Sequence, residues 1–349
     1  MAAVRSTSEI MVRAAKPAEG RAVASLWREL WDAHEGWGGY AGSHDPRVYD
    51  SLASRLEEDA RVRQGHPVLG RHVHLVSAIQ GEITGQVEGW FEKHGVDDGT
   101  PNTCEVRSLI VRSTARRTGS GRALLDALAD TASLLARGTP TILAAEVLEP
   151  NPAQAFYARV GYTPISWSAR IDSARPPEVP TSNRMTTRIA EAGDALAIAL
   201  LDATLAARRR AAGDARFDRP RSVEATLVGA IAAHLSRTSC GPHEPTEIVA
   251  TDAHGDVRAS ASLAIAPLDP PFLPAKRAIL GRFAIDPALD PRPLVGPLVA
   301  MGCRLALMQG AATVELTDLT APRTPLYDAA LATGARPWSR VVARFAARR

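Results

Sequence analysis

One short stretch limits what this chain can fold into more than any other: Ser108-Leu109-Ile110-Val111-Arg112-Ser113-Thr114-Ala115-Arg116-Arg117-Thr118-Gly119-Ser120-Gly121-Arg122. Its apolar start reads as a strand. Directly after it, Leu124, Leu125, Leu128, Ala132 and Leu135 recur at helical spacing, so a helix opens near Ser120. A strand that passes into a helix through Arg-x-x-Gly-x-Gly leaves unpaired amides at the positive end of the helix dipole. Glycines there let the backbone approach a ligand closely and adopt conformations that a Cβ forbids. The combination suits a pyrophosphate, with Arg116, Arg117 and Arg122 adding charge. It is not a Walker loop, since no Lys-Ser/Thr follows, nor a dinucleotide fingerprint, since Leu124 stands where the third glycine belongs. The plainer alternative is a glycine-containing turn with surface arginines.

Around this loop the chain alternates strand and helix signals. An amphipathic helix is predicted from Pro17 to about His34, and Leu52 and Leu56 mark a second, short one. His72–Ile79 and Glu82–Phe91 flank Gln80-Gly81 as a hairpin. Strands are expected at Glu105–Val111 and Thr141–Val147, and a helix from about Pro152 to Arg159, stopped by Gly161. The class is α/β, with antiparallel hairpin strands leading into a strand-helix-strand unit.

At 349 residues the chain is long enough for two domains. Residues 171–184 have the Pro-rich composition of a linker. The flanks look distantly alike: Met11-Val12-Arg13 resembles Thr186-Thr187-Arg188, and Asn151 to Tyr157 resembles Ala321 to Tyr327 at an offset of 170 residues. The organisation expected is therefore one domain over 1–170, the linker, and a second copy over 185–349.

The net charge is +3, and no interleaving of aromatic and basic residues argues for nucleic acid. No stretch approaches the ~20 apolar residues of a membrane helix, and no secretion signal is read at the N-terminus. Cys104, Cys240 and Cys303 are widely spaced and form no CxxC pair. The expectation is a cytoplasmic protein without a structural metal. His72 and His74 share a strand face but lack the companions of a metal site.

The Arg116-x-x-Gly119-x-Gly121 loop after Leu109-Ile110-Val111 resembles the signature of the GNAT acyltransferase superfamily. A second segment, Asn151, Ala155, Phe156-Tyr157 and Gly161-Tyr162, resembles that family's later motif, with Ala155 one place late. The resemblance covers roughly Ile10 to Arg170. It implies two tandem GNAT-like domains, each a mixed, mostly antiparallel twisted sheet flanked by helices, with a splayed central strand pair. Acetyl-CoA or another acyl-CoA would be the co-substrate. Its arm would pair with the backbone of Leu109, Ile110 and Val111. Its pyrophosphate would rest on the amides of Arg117, Thr118, Gly119, Ser120, Gly121 and Arg122, beside Arg116, with Asn151 near the arm. Tyr157 would protonate the departing thiolate and Glu105 would accept the amine's proton. The plainer readings are a core aromatic next to Phe156 and a strand-end glutamate paired with Arg107. His34, Glu35, Trp37 and Tyr40 are the candidate acceptor contacts, aromatics and carboxylates that suit a cationic amine, although a glycine-rich loop of this kind is as often merely exposed.

In the second half, Asp290, Pro293 and Val295 fall where Arg116, Gly119 and Gly121 stand. A carboxylate repels phosphate and proline has no N–H to donate, so a degenerate copy is expected. The function implied is acylation of a small-molecule amine, such as an antibiotic or natural-product intermediate. The alternatives are a protein or peptide N-acetyltransferase and a non-catalytic acetyl-CoA-binding scaffold. Monomer and homodimer are both open.

Overall fold

The computed structural model describes residues 9–39, 41, 44–92, 101–179, 185–217, 223–237, 244–268 and 275–346. The first repeat runs β1 (Ile10–Arg13), α1 (Gly20–Gly36), α2 (Pro46–Arg63), β2 (Val68–Leu69), β3 (His72–Ile79), β4 (Glu82–Glu92), β5 (Asn102–Val111), α3 (Ser120–Ala136), β6 (Thr141–Leu148), α4 (Ala153–Arg159) and β7 (Thr163–Asp172). The second runs β8 (Thr186–Ile189), α5 (Ala195–Ala211), α6 (Ala225–Leu235), β9 (Thr246–Thr251), β10 (Val257–Pro267), β11 (Lys276–Ile285), α7 (Arg292–Met308), β12 (Thr313–Leu319), α8 (Pro325–Ala332) and β13 (Arg336–Phe345). Apart from the two-residue β2, the order of elements is the same in both.

Local chemistry repeats as well. In each repeat an arginine of the first strand binds an acid six residues on, Arg13 to Glu19 and Arg188 to Asp194, both at 2.6 Å. Each acid also accepts a backbone N–H at the entry to the first helix, from Lys16 and from Glu191. The β3–β4 hairpin closes at Gln80 and Gly81, with φ of 52° and 86°, the double left-handed turn that matches strand twist. The helix around Leu52 and Leu56 is longer than its apolar spacing alone predicts. Asp45 caps it by accepting from Arg47 N–H at 2.9 Å, and Pro46 occupies its first turn.

All thirteen strands join one sheet, ordered β1-β3-β4-β5-β6-β13-β7-β12-β11-β10-β9-β8 with β2 beside β3. The last strands of the two repeats are exchanged. β13 pairs along β6 from Ser339–Leu148 to Phe345–Ile142, and β7 pairs with β12. The exchange extends into the cores. Val342 and Ala346 pack with Leu124, Leu125 and Leu143 of the first repeat. Ala169 and Ile171 pack with Leu280, Leu298 and Val314 of the second. Ile171 and Asp172, expected in the linker, are therefore strand residues, because β12 offers them a partner edge; residues 180–184 of that linker lie outside the described residues.

Within each repeat one strand pair is parallel and short. β5 and β6 pair only from Asn102–Thr141 to Val106–Ala145, and β11 and β12 only from Ala278–Val314 to Leu280–Leu316. Beyond Val106 a gap opens on that edge of β5. β5 also carries a bulge against β4, between the Gln86 and Glu88 pairings, with Ser108 at φ 50°. Arg282 of β11 matches it at φ 53°. Non-glycine residues rarely adopt this conformation, so its recurrence is a mark of common architecture.

Candidate active site

The gap between β5 and β6 meets the start of α3. Arg117 and Gly119 have φ of 68° and 104°, which turns the chain sharply into the helix. The first helical bond is Ala123 N–H to Gly119 O at 3.0 Å, so the amides just ahead of it have no carbonyl behind them in the helix. Thr118 Oγ donates to Ala115 O at 2.8 Å and contacts Ser120 Oγ at 2.9 Å, tying the loop from within. Arg116, Arg117 and Arg122 are exposed. Arg116 folds back to donate to Val111 O at 3.2 Å, and Arg122 reaches Arg159 O at 3.4 Å. Charge, helix-start amides without carbonyl partners and a glycine corner thus converge, an arrangement of the kind that suits a diphosphate, although the Ser120 amide also donates to Thr118 Oγ1 at 3.5 Å.

Leu109, Ile110 and Val111 line the splayed part of β5. Ile110 also pairs with Gln86, and its side chain is buried under α1 and α2. Asn151 is differently engaged: its Oδ1 accepts from Ala153 N–H at 2.9 Å, which turns the chain into α4. Tyr157, on α4, is 6% exposed and packs against Phe156 and Tyr162, with ring centroids at 5.5 and 5.1 Å. Burial, and secondarily Tyr162, push its phenol above the usual range, so it remains a proton donor at neutral pH.

Glu105 faces the same side of the sheet as Trp90, opposite it in register, but its side chain is half-exposed and accepts from Arg107 at 2.7 Å. A different carboxylate is enclosed. Glu88 on β4 stands opposite Arg107, its side chain 14% exposed. Burial raises its pKa; His72, the Ser108 hydroxyl, Arg55 and Arg107 oppose the rise. Ser108 Oγ donates to Glu88 Oε2 at 3.2 Å. The first residues of β5 past its pairing with β6 therefore hold this carboxylate at the mouth of the gap. Glu88 is not among the residues that the family resemblance singles out; its signal in the sequence is the alternation Gln86, Glu88, Trp90 along an apolar strand.

His72 and His74 do not converge on a common point. Their rings stack 6.3 Å apart with 7° between planes, and their nitrogens turn to Arg63 and Gln86 respectively.

On the acceptor side, His34 and Trp37 lie 5.6 Å apart at the end of α1. Burial lowers the His34 pKa, and Glu146 of β6 opposes that. Glu35 instead pairs with His44 at 2.9 Å on the surface; Tyr40 lies outside the described residues. Glu146 is the first β6 residue past the pairing with β5. Ser339 of β13 donates to it at 2.6 Å and Arg277 of β11 at 3.1 Å. Arg277 is in turn anchored on buried Glu315 of β12 at 2.7 Å. Second-repeat residues therefore surround one lip of the first gap.

The second gap differs. α7 begins ten positions after Arg282, whereas α3 begins twelve after Ser108, which moves Pro293 from the place of Gly119 to that of Gly121. Asp290 accepts from Arg292 N–H at 3.1 Å and ion-pairs the Arg292 side chain at 2.7 Å, so the helix start carries the chain's own carboxylate. Leu294 and Val295 are fully buried there. Arg208 takes the Ile285 carbonyl at 3.4 Å.

No curated protein matches the sequence. Among solved structures, a GCN5-related N-acetyltransferase from Sphaerobacter thermophilus superposes with a TM-score of 0.54 at 15% identity, covering 96% of this chain and 95% of that one. A GCN5-related glucosamine N-acetyltransferase region of a fungal multi-domain GH3 beta-N-acetylglucosaminidase gives 0.53 at 14% identity, covering 97% of this chain and 38% of that one. At these identities the likeness is one of fold. Residues 24–162 match the acetyltransferase (GNAT) family. That span holds the splayed strand pair, the glycine loop, Glu88 and Tyr157, so the match to the acetyltransferase (GNAT) family falls on the part of the chain that carries the candidate site.

Proposed function

We propose that the chain transfers an acyl group, acetyl in the simplest case, from acyl-CoA to the amine of a small molecule by direct attack on the thioester. The observation that carries this reading is the end of β5–β6 pairing at Val106–Ala145, beside a helix start whose first amides lack carbonyl partners. An extended acyl-CoA arm would add to the freed edge of β5 at Leu109, Ile110 and Val111, as a strand adds to a sheet edge. Arg116, Arg117, Thr118, Gly119, Ser120, Gly121 and Arg122 would hold the diphosphate. Asn151, occupied with α4, supports that arm through the position of the helix rather than by contact.

An amine at neutral pH is an ammonium and must lose a proton before it attacks. We assign that step to Glu88: its burial favours taking a proton, and Ser108 keeps it at the gap. Glu105, half-exposed and paired with Arg107, serves better as a surface ion pair. Tyr157, whose phenol stays protonated, gives its proton to the departing thiolate and recovers one from solvent. A backbone N–H of Ile110 or Val111 would polarise the thioester carbonyl. The acceptor would approach past His34 and Trp37, against Glu146. The second repeat, its helix start taken by Asp290, serves as framework and as part of the acceptor wall.

The test is thiol release from acetyl-CoA over a panel of small amines, aminoglycosides and peptides, with Glu88→Gln and Glu105→Gln in parallel. Turnover should depend on Glu88 and survive Glu105→Gln. Binding of acetyl-CoA with no turnover on any amine would overturn the enzymatic assignment.

A further inference from the structure

Glu88 has a neighbour whose protonation state the structure decides. Arg63, the last residue of α2, is 4% exposed. Its guanidinium donates to Pro67 O at 2.9 Å and His72 O at 3.2 Å, and its Nη2 stands 2.8 Å from His72 Nδ1. An arginine does not give up its proton in proteins, so it can only be the donor in that contact. Nδ1 must therefore present a lone pair. A neutral imidazole with a bare Nδ1 carries its proton on Nε2, and Nε2 is the nitrogen that points at Glu88, 3.8 Å from Oε1. A second proton could enter the ring only at Nδ1, where it would meet a guanidinium N–H head-on. His74, stacked below, and Trp90, 6.0 Å away, restrain the ring from flipping.

We propose that Arg63 locks His72 as the neutral Nε2–H tautomer, and that this lock keeps an imidazolium away from Glu88. The inference rests on the reading of Glu88 as the base. In it, Arg63 and His72 are positioning residues that act through Glu88. The 3.8 Å separation is beyond a direct hydrogen bond, so His72 acts on the carboxylate as a dipole. A full positive charge at that distance would lower the carboxylate pKa by about 1–3 units and weaken it as a base. The arrangement thus places a histidine beside a carboxylate without forming the ion pair that the two would otherwise make.

Other charges bear on the pair as well, and Arg63 itself couples to Glu88 and to Asp59. Burial lowers the His72 pKa first; Arg63 and His74 act in the same direction, while Glu88 and Asp59 oppose them. From α2, Arg55 faces Glu88, and from β5 Arg107 does so, although Arg107 is held by Glu105.

The deciding measurement is the long-range 1H–15N spectrum of the histidine side chains in the full chain from pH 5 to 8, with His72 assigned by the signal lost in His72→Gln. The expected result is a neutral Nε2–H ring that titrates, if at all, clearly below the free value. An Nδ1–H ring, or a midpoint near the free value of about 6.5, overturns the proposal. The wild-type protein alone supplies this answer, so a failure of Arg63→Met to fold does not matter to it. Where Arg63→Met does fold, His72 should titrate at higher pH than in the wild type. Arg63 also couples to Glu88 directly, so the acid limb of turnover is compared with that of the Arg63→Met/His72→Gln double variant, which lacks the ring: the single variant should lie about one unit lower, and equal limbs refute the coupling. If Glu88→Gln keeps full turnover, the assignment of the base fails while the tautomer result still stands. If Glu88 is essential and His72 titrates normally, the lock alone fails.

Discussion

His74 provides the best-defined stability prediction. Its ring is 4% exposed on β3, and its Nε2 lies 3.1 Å from Gln86 Oε1. Burial, only partly offset by that contact, lowers its pKa from 6.5 to about 4. The folded state therefore holds a neutral ring, whereas the unfolded chain takes up a proton once the pH drops below about 6.5. More protons on the unfolded state means stability falls as pH falls. The loss begins near pH 6.5, runs down to about pH 4 and then levels off. Linkage across that interval gives about 2.5 kcal/mol lost between pH 7 and pH 4.5, a large share of the roughly 5–15 kcal/mol that holds a domain together.

His74→Leu removes the titration at similar volume. It leaves Gln86 Oε1 without its partner, a cost of about 1–3 kcal/mol that does not vary with pH. Urea unfolding followed by circular dichroism at pH 7.0 and pH 4.5, for both proteins, isolates the effect. The wild type should lose about 2–3 kcal/mol more than the variant over that change. Glu88 works in the opposite direction, since burial raises its pKa, but it is common to both proteins and cancels. Equal losses in the two would refute the argument that the fold requires a neutral His74.

Three further outcomes are expected. Tyr157→Phe should reduce kcat by at least about 100-fold while leaving the Kd for acetyl-CoA unchanged by calorimetry; intact turnover would remove the phenol from the mechanism. Gly119→Ala places a Cβ at φ 104° with Ile10 Cδ1 at 3.5 Å, so the harm is backbone strain of about 1–2 kcal/mol rather than a clash. CoA affinity should drop about 10-fold with little change in far-UV circular dichroism, and an unchanged Kd would contradict a phosphate role for the loop. Truncation after Ala335 deletes β13 and should yield an aggregating chain that does not bind CoA, by size-exclusion chromatography and calorimetry; a monodisperse, CoA-binding product would show the exchange to be dispensable.

Much of this architecture is legible in the sequence, for local reasons. The hairpin announces itself through Gln80-Gly81, α3 through its leucine stripe, and the loop before α3 through Gly119, where φ turns positive. Even the repeat leaves a trace in Arg13 and Arg188. What escapes is non-local. Nothing in Val341 or Val342 says whether β13 will pair with β12 or with β6, because both strands offer an apolar edge, and the exchange is settled only by three-dimensional packing. Glu105 looks like the base in the sequence because it opens the central strand, whereas Glu88 hides in a strand of ordinary alternation. Only the bulge at Ser108 and the cover of α2 make the second carboxylate the enclosed one. The shift of Pro293 depends on a connection two positions shorter, which no single sequence can register on its own.

The exchanged strand has a consequence for the cleft itself. β6 forms one jamb of the opening that would admit a thioester, and the far side of that jamb is braced along its length by the final strand of the chain. Arg344 drives the brace home: it reaches Leu125 O on α3, Val160 O just past α4 and the Asp126 carboxylate at 2.8 Å. The edge of the first repeat's gap is therefore braced by residues more than two hundred positions downstream of the glycine loop beside it. The second repeat, whose helix start is occupied by Asp290 and Arg292, thus holds the doorframe of the first.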